Sequence, residues 1–320
     1  MAAGHGQTGH VLCAQRSDGN ASRHGRINAA RQPQHDGRDG RFSAIIRQPR
    51  HHGVGQLLDG IHHGRTIVAG LEVHERRFAD GEGILSFAGD PSTGFGRGDV
   101  DDALHTAKAL GMTHHLHEID AMHTSVEGVL GEVLANGHPV AAENLQARLR
   151  ALLVMGYANA NASMAITTGN KSEIAQGYCT LYGDMAGGYA PLGDVYKMEV
   201  YAMAERFNQR AEASGRTAPV SVSTMTKPPS AELAPDQTDQ DSLPPYDELD
   251  AILRSHIEGG LNTDDLIARG FDAATVMDVL QRLERNEHKR WQMPPAPRVS
   301  PRAFGQGWRR PLASNHDWRR

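Results

Sequence analysis

Ile166-Thr-Thr-Gly-Asn-Lys-Ser-Glu173 is the stretch on which the fold class turns. Met164-Ala-Ile-Thr-Thr168 is short, apolar and β-branched, and reads as a buried strand. Gly169-Asn170 turns the chain, and Lys171 to Tyr178 reads as a helix. In a parallel α/β sheet, ligands bind just outside the carboxyl ends of the strands. Backbone amides at the following helix start can face a phosphate. Here Thr168 offers a hydroxyl, and Glu173 a carboxylate for Mg²⁺ or a sugar hydroxyl. The same junction also serves as plain connection, so on its own it does not fix a function.

Working outward, the elements alternate. Asp101 to Leu110 has helical spacing at Ala103, Leu104, Ala107 and Leu110, and ends at Gly111, a natural C-cap. Thr113-His-His-Leu-His-Glu-Ile119 reads as a short strand. Glu143 opens a long amphipathic helix with Leu145, Leu149, Leu152 and Leu153 on one face. Beyond the central stretch, Asp194 to Phe207 reads as a helix and Pro228 to Pro245 as a loop. Pro244-Pro245 before Tyr246-Asp-Glu-Leu starts a helix with acids near the positive end of its dipole. Thr263-Asp-Asp-Leu ending at Gly270 is a short capped helix, and Asp272 caps a helix running toward Lys289. This order predicts an α/β class with a mostly parallel sheet.

Composition divides the chain near Arg97. Residues 1–97 hold nine of the 18 histidines and twelve arginines, while all five lysines lie at Lys108 or later. Apolar residues there seldom recur at helical or strand spacing; the best runs are Gly55 to Ile61, Thr66 to Val73 and Gly83 to Ala88, short strands or one helix. Three readings stand for this segment. It is an irregular or disordered arm, too poor in apolar clusters to offset the entropy of ordering. It is a His-rich metal-binding tract, although His51-His52 and His62-His63 lack the spacing of a zinc motif. Or it is an out-of-frame translation of GC-rich DNA, which tends to yield Arg, Gly, His and Pro without Lys. The expected organisation is thus 1–97 unassigned and 98–320 folded.

Whole-chain properties set broader bounds. With 320 residues, and roughly 150 residues per domain, one or two domains are expected. A net charge of −5 argues against a general polyanion binder, nucleic acid included. The two cysteines, Cys13 and Cys179, form neither a disulfide framework nor a zinc site, and fit a reducing cytoplasm. No apolar run is long enough to span a bilayer.

Further segments carry chemistry. Gly177-Tyr-Cys-Thr-Leu-Tyr-Gly-Asp-Met-Ala-Gly-Gly-Tyr189 suits a mobile loop near a ligand, or an ordinary surface loop. Lys197, in Asp194-Val-Tyr-Lys-Met-Glu-Val200, can neutralise a phosphate or simply be solvated. Lys227-Pro-Pro-Ser-Ala-Glu232 precedes the acidic Asp236-Gln-Thr-Asp-Gln-Asp241. In Asn286-Glu-His-Lys-Arg290, at a helix end, the basic residues can merely complement that helix's dipole.

Taken in order, Glu143-Asn-Leu-Gln-Ala-Arg148, Thr167-Thr-Gly-Asn-Lys-Ser-Glu173, Tyr182-Gly-Asp-Met-Ala-Gly-Gly188, Lys227-Pro-Pro-Ser-Ala-Glu232 and His288-Lys-Arg290 resemble the synthetase domain of glutamine-dependent NAD synthetases. Leu243-Pro-Pro-Tyr246 and the tail Pro301-Arg-Ala-Phe-Gly305 through Arg309-Arg-Pro311 fit too. The resemblance runs from about Asp99 to the C-terminus, and fits this family better than another ATP pyrophosphatase such as a GMP synthetase. It implies an incomplete doubly wound parallel sheet with flanking helices, of the adenine-nucleotide alpha-hydrolase-like kind. It also implies a ligase using ATP and Mg²⁺: the nicotinate carboxylate of deamido-NAD attacks the α-phosphorus of ATP, pyrophosphate leaves, and ammonia displaces AMP. By position, Thr168, Lys197 and Ser230 resemble ATP contacts. Asn144, Arg148, Glu173, Asp184 and Lys289 resemble deamido-NAD contacts, with Glu173 also the acid that meets Mg²⁺. The ammonia comes from glutamine or is free, and at least a homodimer is implied.

The match departs from the family in one place. The family's Ser-Gly-Gly-x-Asp-Ser loop, which holds pyrophosphate, has no counterpart; the one Ser-Gly pair is Ser214-Gly215. Pro91-Ser92 echoes a Met-Pro-Ser strand end, and the glutaminase domain is not recognisable. Matching sequence begins in mid-domain, where composition changes, and a frame error or gene truncation explains both. Two expectations follow: an NAD synthetase by descent, with the missing loop putting the activity of this form in question, or a non-catalytic remnant that binds nucleotide or an intact subunit.

Overall fold

The computed structural model describes residues 66–68, 97–230 and 238–312. The arm, the His-rich tract and the shifted-frame reading concern residues that lie almost wholly outside those described. Within the Thr66 to Val73 run, Thr66–Val68 forms strand β1 and pairs in parallel with strand β2, Met164–Ile166, with Ile67 opposite Ala165. A further parallel bridge joins Ile166 to Tyr189. Ala165 of β2 packs against Val154 and Ala158 of the long helix α3, Val140–Ala160. The pairing is therefore parallel, as the α/β class requires; among the described residues the sheet has two strands.

Helices carry the main core. Helices α7 (Tyr246–Ile257), α8 (Thr263–Ala268) and α9 (Ala273–Arg285) follow α4 (Lys171–Gln176), α5 (Lys197–Ala213) and the short α6 (Val222–Thr226). Val276, Val279, Leu280 and Leu283 recur along one face of α9 and are fully buried, or nearly so, against Leu249, Ile252, Leu253 and Ile257 of α7 and Leu266 of α8. Each such side chain removed from water contributes about 1.5–3 kcal/mol. Caps fix where these helices begin: the Asp272 carboxylate accepts from the Thr275 amide, and Asn262 and Asp265 close a reciprocal capping box on α8. Ile174 and Ala175 of α4 join this core. The helix that leaves the β2 turn is thus anchored in the helical layer.

Three expectations are corrected. Residues 113–119 form no strand: His115 and His117 stack on each other and meet the Tyr157 ring of α3 at a tilt, and Ile119 leads into α2, Asp120–Ala135. Helix α5 starts at Lys197, not Asp194. Asp194 is buried and accepts from the amides of Val299 and Ser300 and from the Ser300 hydroxyl, bonds that hold it outside the helix. Helix α3 begins at Val140, three residues before Glu143. Helix α1, Arg97–Ala109, covers the expected Asp101 to Leu110 except for its last residue, and begins four residues earlier.

Candidate functional site

The β2–α4 junction is tightly fixed. Asn170, fully buried, caps α4: its side chain accepts from the Glu173 amide at 3.0 Å while Glu173 Oε2 accepts from the Asn170 amide at 3.1 Å. The other carboxylate oxygen, Oε1, lies 3.0 Å from Lys197 Nζ. Lys197 opens α5, and its amide donates to Ser172 Oγ at 2.9 Å. Ser172 in turn donates to Asp250, whose second oxygen accepts from the Met198 amide. The start of α5 is therefore tied to the start of α4, and the Glu173–Lys197 pair is set by both helix N-termini. The Lys197 ammonium also stands 5.5 Å from the Tyr246 ring centre and 5.8 Å from that of Tyr201. Tyr246 donates to the buried Asp239 at 2.7 Å. Burial raises the Asp239 carboxyl above its ordinary range, and the Tyr246 hydrogen bond opposes this.

Beside this junction runs the 177–189 loop. Asn144 of α3 accepts from Thr180 Oγ1 at 2.7 Å, and Arg148 Nε, one turn on, donates to the Leu181 carbonyl at 3.2 Å. Asp184 turns back to accept from the Thr180 amide at 2.5 Å. Lys289, on α10 (Glu287–Arg290), donates to the carbonyls of Gly177 and Cys179. The loop expected to be mobile is thus pinned by side chains from α3 and α10. Its glycines are pinned as well: a Cβ on Gly183 would meet Ala147 and Thr180 at 2.9 Å, and one on Gly187 would meet Thr167 at 2.7 Å. A cavity of about 210 Å³ opens between Tyr182, Met185, Gly187 and Met293.

The loop's electrostatics follow from its crowding. Surrounding protein pushes the Asp184 carboxyl up to about 6; the Thr180 amide pulls against this, the Glu173 charge adds to it, and the Lys289 ammonium opposes it. Asp184 also presents substantial surface to solvent, which screens part of this effect. Burial, with the Asp184 charge adding, pushes the Cys179 thiol up to about 12, far from the range of a reactive thiolate.

Six of the eight expected site residues meet in two clusters, Glu173 with Lys197, and Asn144, Arg148, Asp184 and Lys289 around one loop, and the Glu173 charge acts on Asp184 across them. Thr168 lies between the end of β2 and the Asn170 cap, part-exposed. Ser230 lies after α6, at the border of the described residues. Lys171, Asn286 and Arg290 were not among the expected site residues. Asn170 had a legible signal, an Asn three residues before Glu173, which is a capping-box spacing. Lys171 had none.

The donor set bears on the expected Mg²⁺. Among the described residues no group of three or more His, Cys, Asp or Glu side chains converges on one point. Both oxygens of Glu173 are already met, by Lys197 Nζ and the Asn170 amide, so a Mg²⁺ here would have to keep waters and phosphate oxygens, its usual habit, and not an all-protein cage. No described helix is long and apolar enough to cross a membrane.

Comparison with known proteins shows the family. The family model described as NAD synthase matches residues 90–294. A glutamine-dependent NAD(+) synthetase of Rhodobacter capsulatus is 45% identical over 234 residues, 72% of this chain and 42% of that protein. One from Acinetobacter baylyi is 46% identical over 221 residues, 69% of this chain and 40% of the relative. This chain thus spans about two-fifths of the length of the curated relatives it matches. Among solved structures, a glutamine-dependent NAD(+) synthetase from Cytophaga hutchinsonii superposes with a TM-score of 0.57 at 21% identity, over 73% of this chain and 39% of that one, which shows the shared fold.

Proposed function

Because this chain belongs to the NAD synthase family, we propose that residues 98–320 are the C-terminal part of a site for ATP-dependent amidation of deamido-NAD to NAD, through an adenylate, with ammonia either free or released from glutamine. The observation that carries this reading is the convergence of Asn144, Arg148, Asp184 and Lys289 on one loop beside the Glu173–Lys197 pair. Two cations and two neutral or acidic groups around one loop suit a dinucleotide that bears phosphates and ribose hydroxyls.

In this reading each residue binds or orients. Lys197, held by Glu173, offers its charge to ATP phosphates, with Thr168 and Ser230 as hydroxyl contacts. Arg148 and Lys289 complement the deamido-NAD phosphates, while Asn144 and Asp184 orient its sugar and base. Mg²⁺ with ATP would offset charge that builds on the phosphates, and Glu173 is the residue that would face it. Most of the barrier lowering comes from positioning and from fixed charge. The substrates are small molecules, the setting is cytoplasmic, and a homo-oligomer is the expected assembly.

A second reading rests on one sequence observation. No Ser-Gly-Gly-x-Asp-Ser run occurs in the chain, so this polypeptide is a non-catalytic remnant that retains nucleotide binding or docks on an intact subunit. One assay separates the two. Deamido-NAD, ATP, Mg²⁺ and ammonium are incubated with the purified chain, with Glu173→Ala and Lys197→Ala as controls. NAD formation abolished by both substitutions supports the enzyme. Folded protein that binds deamido-NAD but yields no NAD supports the remnant.

A further inference from the structure

Helix α4 has only six residues, and its carbonyl end faces a second segment of chain. The last turn of any helix leaves backbone carbonyls without intrahelical donors. Here the chain exits at Gly177, whose φ of +66° lets its amide return to the carbonyls of Glu173 and Ile174. The remaining carbonyls are met from Asn286–Arg290. Arg290 Nη1 donates to Ala175 at 2.9 Å and Asn286 Nδ2 to Gln176 at 3.0 Å. Lys289 Nζ donates to Gly177 at 2.6 Å and to Cys179 at 2.7 Å. The basic residues of this segment thus complement the negative end of α4, a helix more than a hundred residues upstream.

The contact has little slack. A Cβ on Gly177 would fall 2.0 Å from Asn286 Cγ. Asn286 Nδ2 also donates to Arg282 on α9, which orients it. Arg290 is buried, paired with Glu287 at 2.8 Å, and its guanidinium lies 5.2 Å from the Phe304 ring centre and 5.5 Å from that of Trp308. Of the three N–H donors on the Lys289 ammonium, two go to loop carbonyls, which leaves one direction for a ligand oxygen.

We infer that Asn286 and Arg290 are positioning residues: by holding the carbonyl end of α4 they fix the course of the Gly177–Asp184 loop, and with it the place from which Lys289 presents its charge. This rests on, and deepens, the reading of Lys289 and Asp184 as deamido-NAD contacts. Loss of the Asn286 amide leaves the Gln176 carbonyl without that donor at the point where the loop departs. The loop then shifts, and Lys289, bonded to two of its carbonyls, shifts with it.

Cys179 reports on the loop directly. In the full chain carrying Cys13→Ser it is the sole thiol; it is only partly exposed in the closed loop, so its alkylation by iodoacetamide speeds up as the loop opens. Asn286→Leu keeps the bulk and removes the donor. Expected results are alkylation at least about tenfold faster than in the parent, a nearly unchanged urea midpoint, and deamido-NAD affinity lowered at least about fivefold by calorimetry. Asn286→His, which keeps a donor at similar reach, restores both. Arg290→Lys provides the second test if it folds; if it does not, the Asn286 pair decides. Unchanged alkylation in Asn286→Leu overturns the inference, as does an acceleration that only tracks global destabilisation and is not restored by His. Faster alkylation with unaltered deamido-NAD affinity overturns the link to Lys289. If the parent does not bind deamido-NAD at all but the alkylation pattern holds, loop positioning stands and the ligand reading fails.

Discussion

The ammonium of Lys171 lies 2.9 Å from Asp194 Oδ1, and neither side chain has any exposed surface. The same ammonium reaches Glu258 at 3.1 Å, Ser300 Oγ at 2.7 Å and the Arg302 carbonyl at 3.1 Å. One buried cation therefore joins α4, the 190–196 turn, the end of α7 and the C-terminal tail. Removing one member of a buried ion pair leaves an uncompensated charge and costs about 3–5 kcal/mol. Lys171→Met is expected to lose stability on that scale in urea unfolding, and adding Asp194→Asn is expected to recover part of the loss. A midpoint within error of the parent would contradict this account.

His256 predicts how stability responds to acid. Burial holds its imidazole below the usual range; the Leu261 carbonyl pulls it up, while the charges of Arg310 and Arg302 add to the depression. Nδ1 lies 2.7 Å from the Leu261 carbonyl, so that nitrogen carries the proton and Nε2 accepts from Arg310 at 3.1 Å. With the folded pKa below the unfolded one, the unfolded chain binds a proton first as pH falls. Stability contributed here is complete above about pH 6.5 and declines below it. The check is a series of unfolding midpoints from pH 7.5 to 5.5, in which His256→Gln should show a shallower decline than the parent.

Gly177 serves two constraints at once, a left-handed φ and the contact with Asn286. Gly177→Ala should destabilise by about 1–3 kcal/mol, since the αL penalty and the clash add. Combining it with Asn286→Gly removes only the clash, so the double variant should be less destabilised than the two single losses summed. Strict additivity in chemical denaturation would argue that the two residues do not touch in solution.

The Glu173–Lys197 pair separates charge from capping. Its members are 19% and 13% exposed, so the pair is only partly shielded and is expected to contribute at most about 1 kcal/mol. Glu173→Gln keeps an acceptor for the Asn170 amide and should cost about that much. Glu173→Ala also loses the reciprocal cap, which adds about 1 kcal/mol. A double-mutant cycle with Lys197→Met isolates the ionic coupling; a value near zero would leave the cap as the main structural role of Glu173.

What could be read from residue order alone was whatever is local. The proline and acids before α7 and the Asp272 cap act within one or two helical turns, and the structure has both where expected; the Asn170–Glu173 spacing is equally local but was not among the expectations. The family could be read as well, because its motifs are short runs whose order survives without coordinates. Helix α2 went unread because it buries none of its side chains, so no apolar face marked it clearly. Residues 113–119 misled because a short stretch carries too little pattern to fix its type, while strand formation needs a neighbour to accept its backbone bonds. Tertiary structure alone decided that Lys171 is buried and that Asn286–Arg290 serves the end of α4 as well as that of α9. Lys289 and Gly177 are 112 residues apart, and a lysine in text has the same charge whether water or a carbonyl receives it. Which of the two receives it depends on how the helices pack, and packing sums many weak contacts that no single stretch of sequence contains.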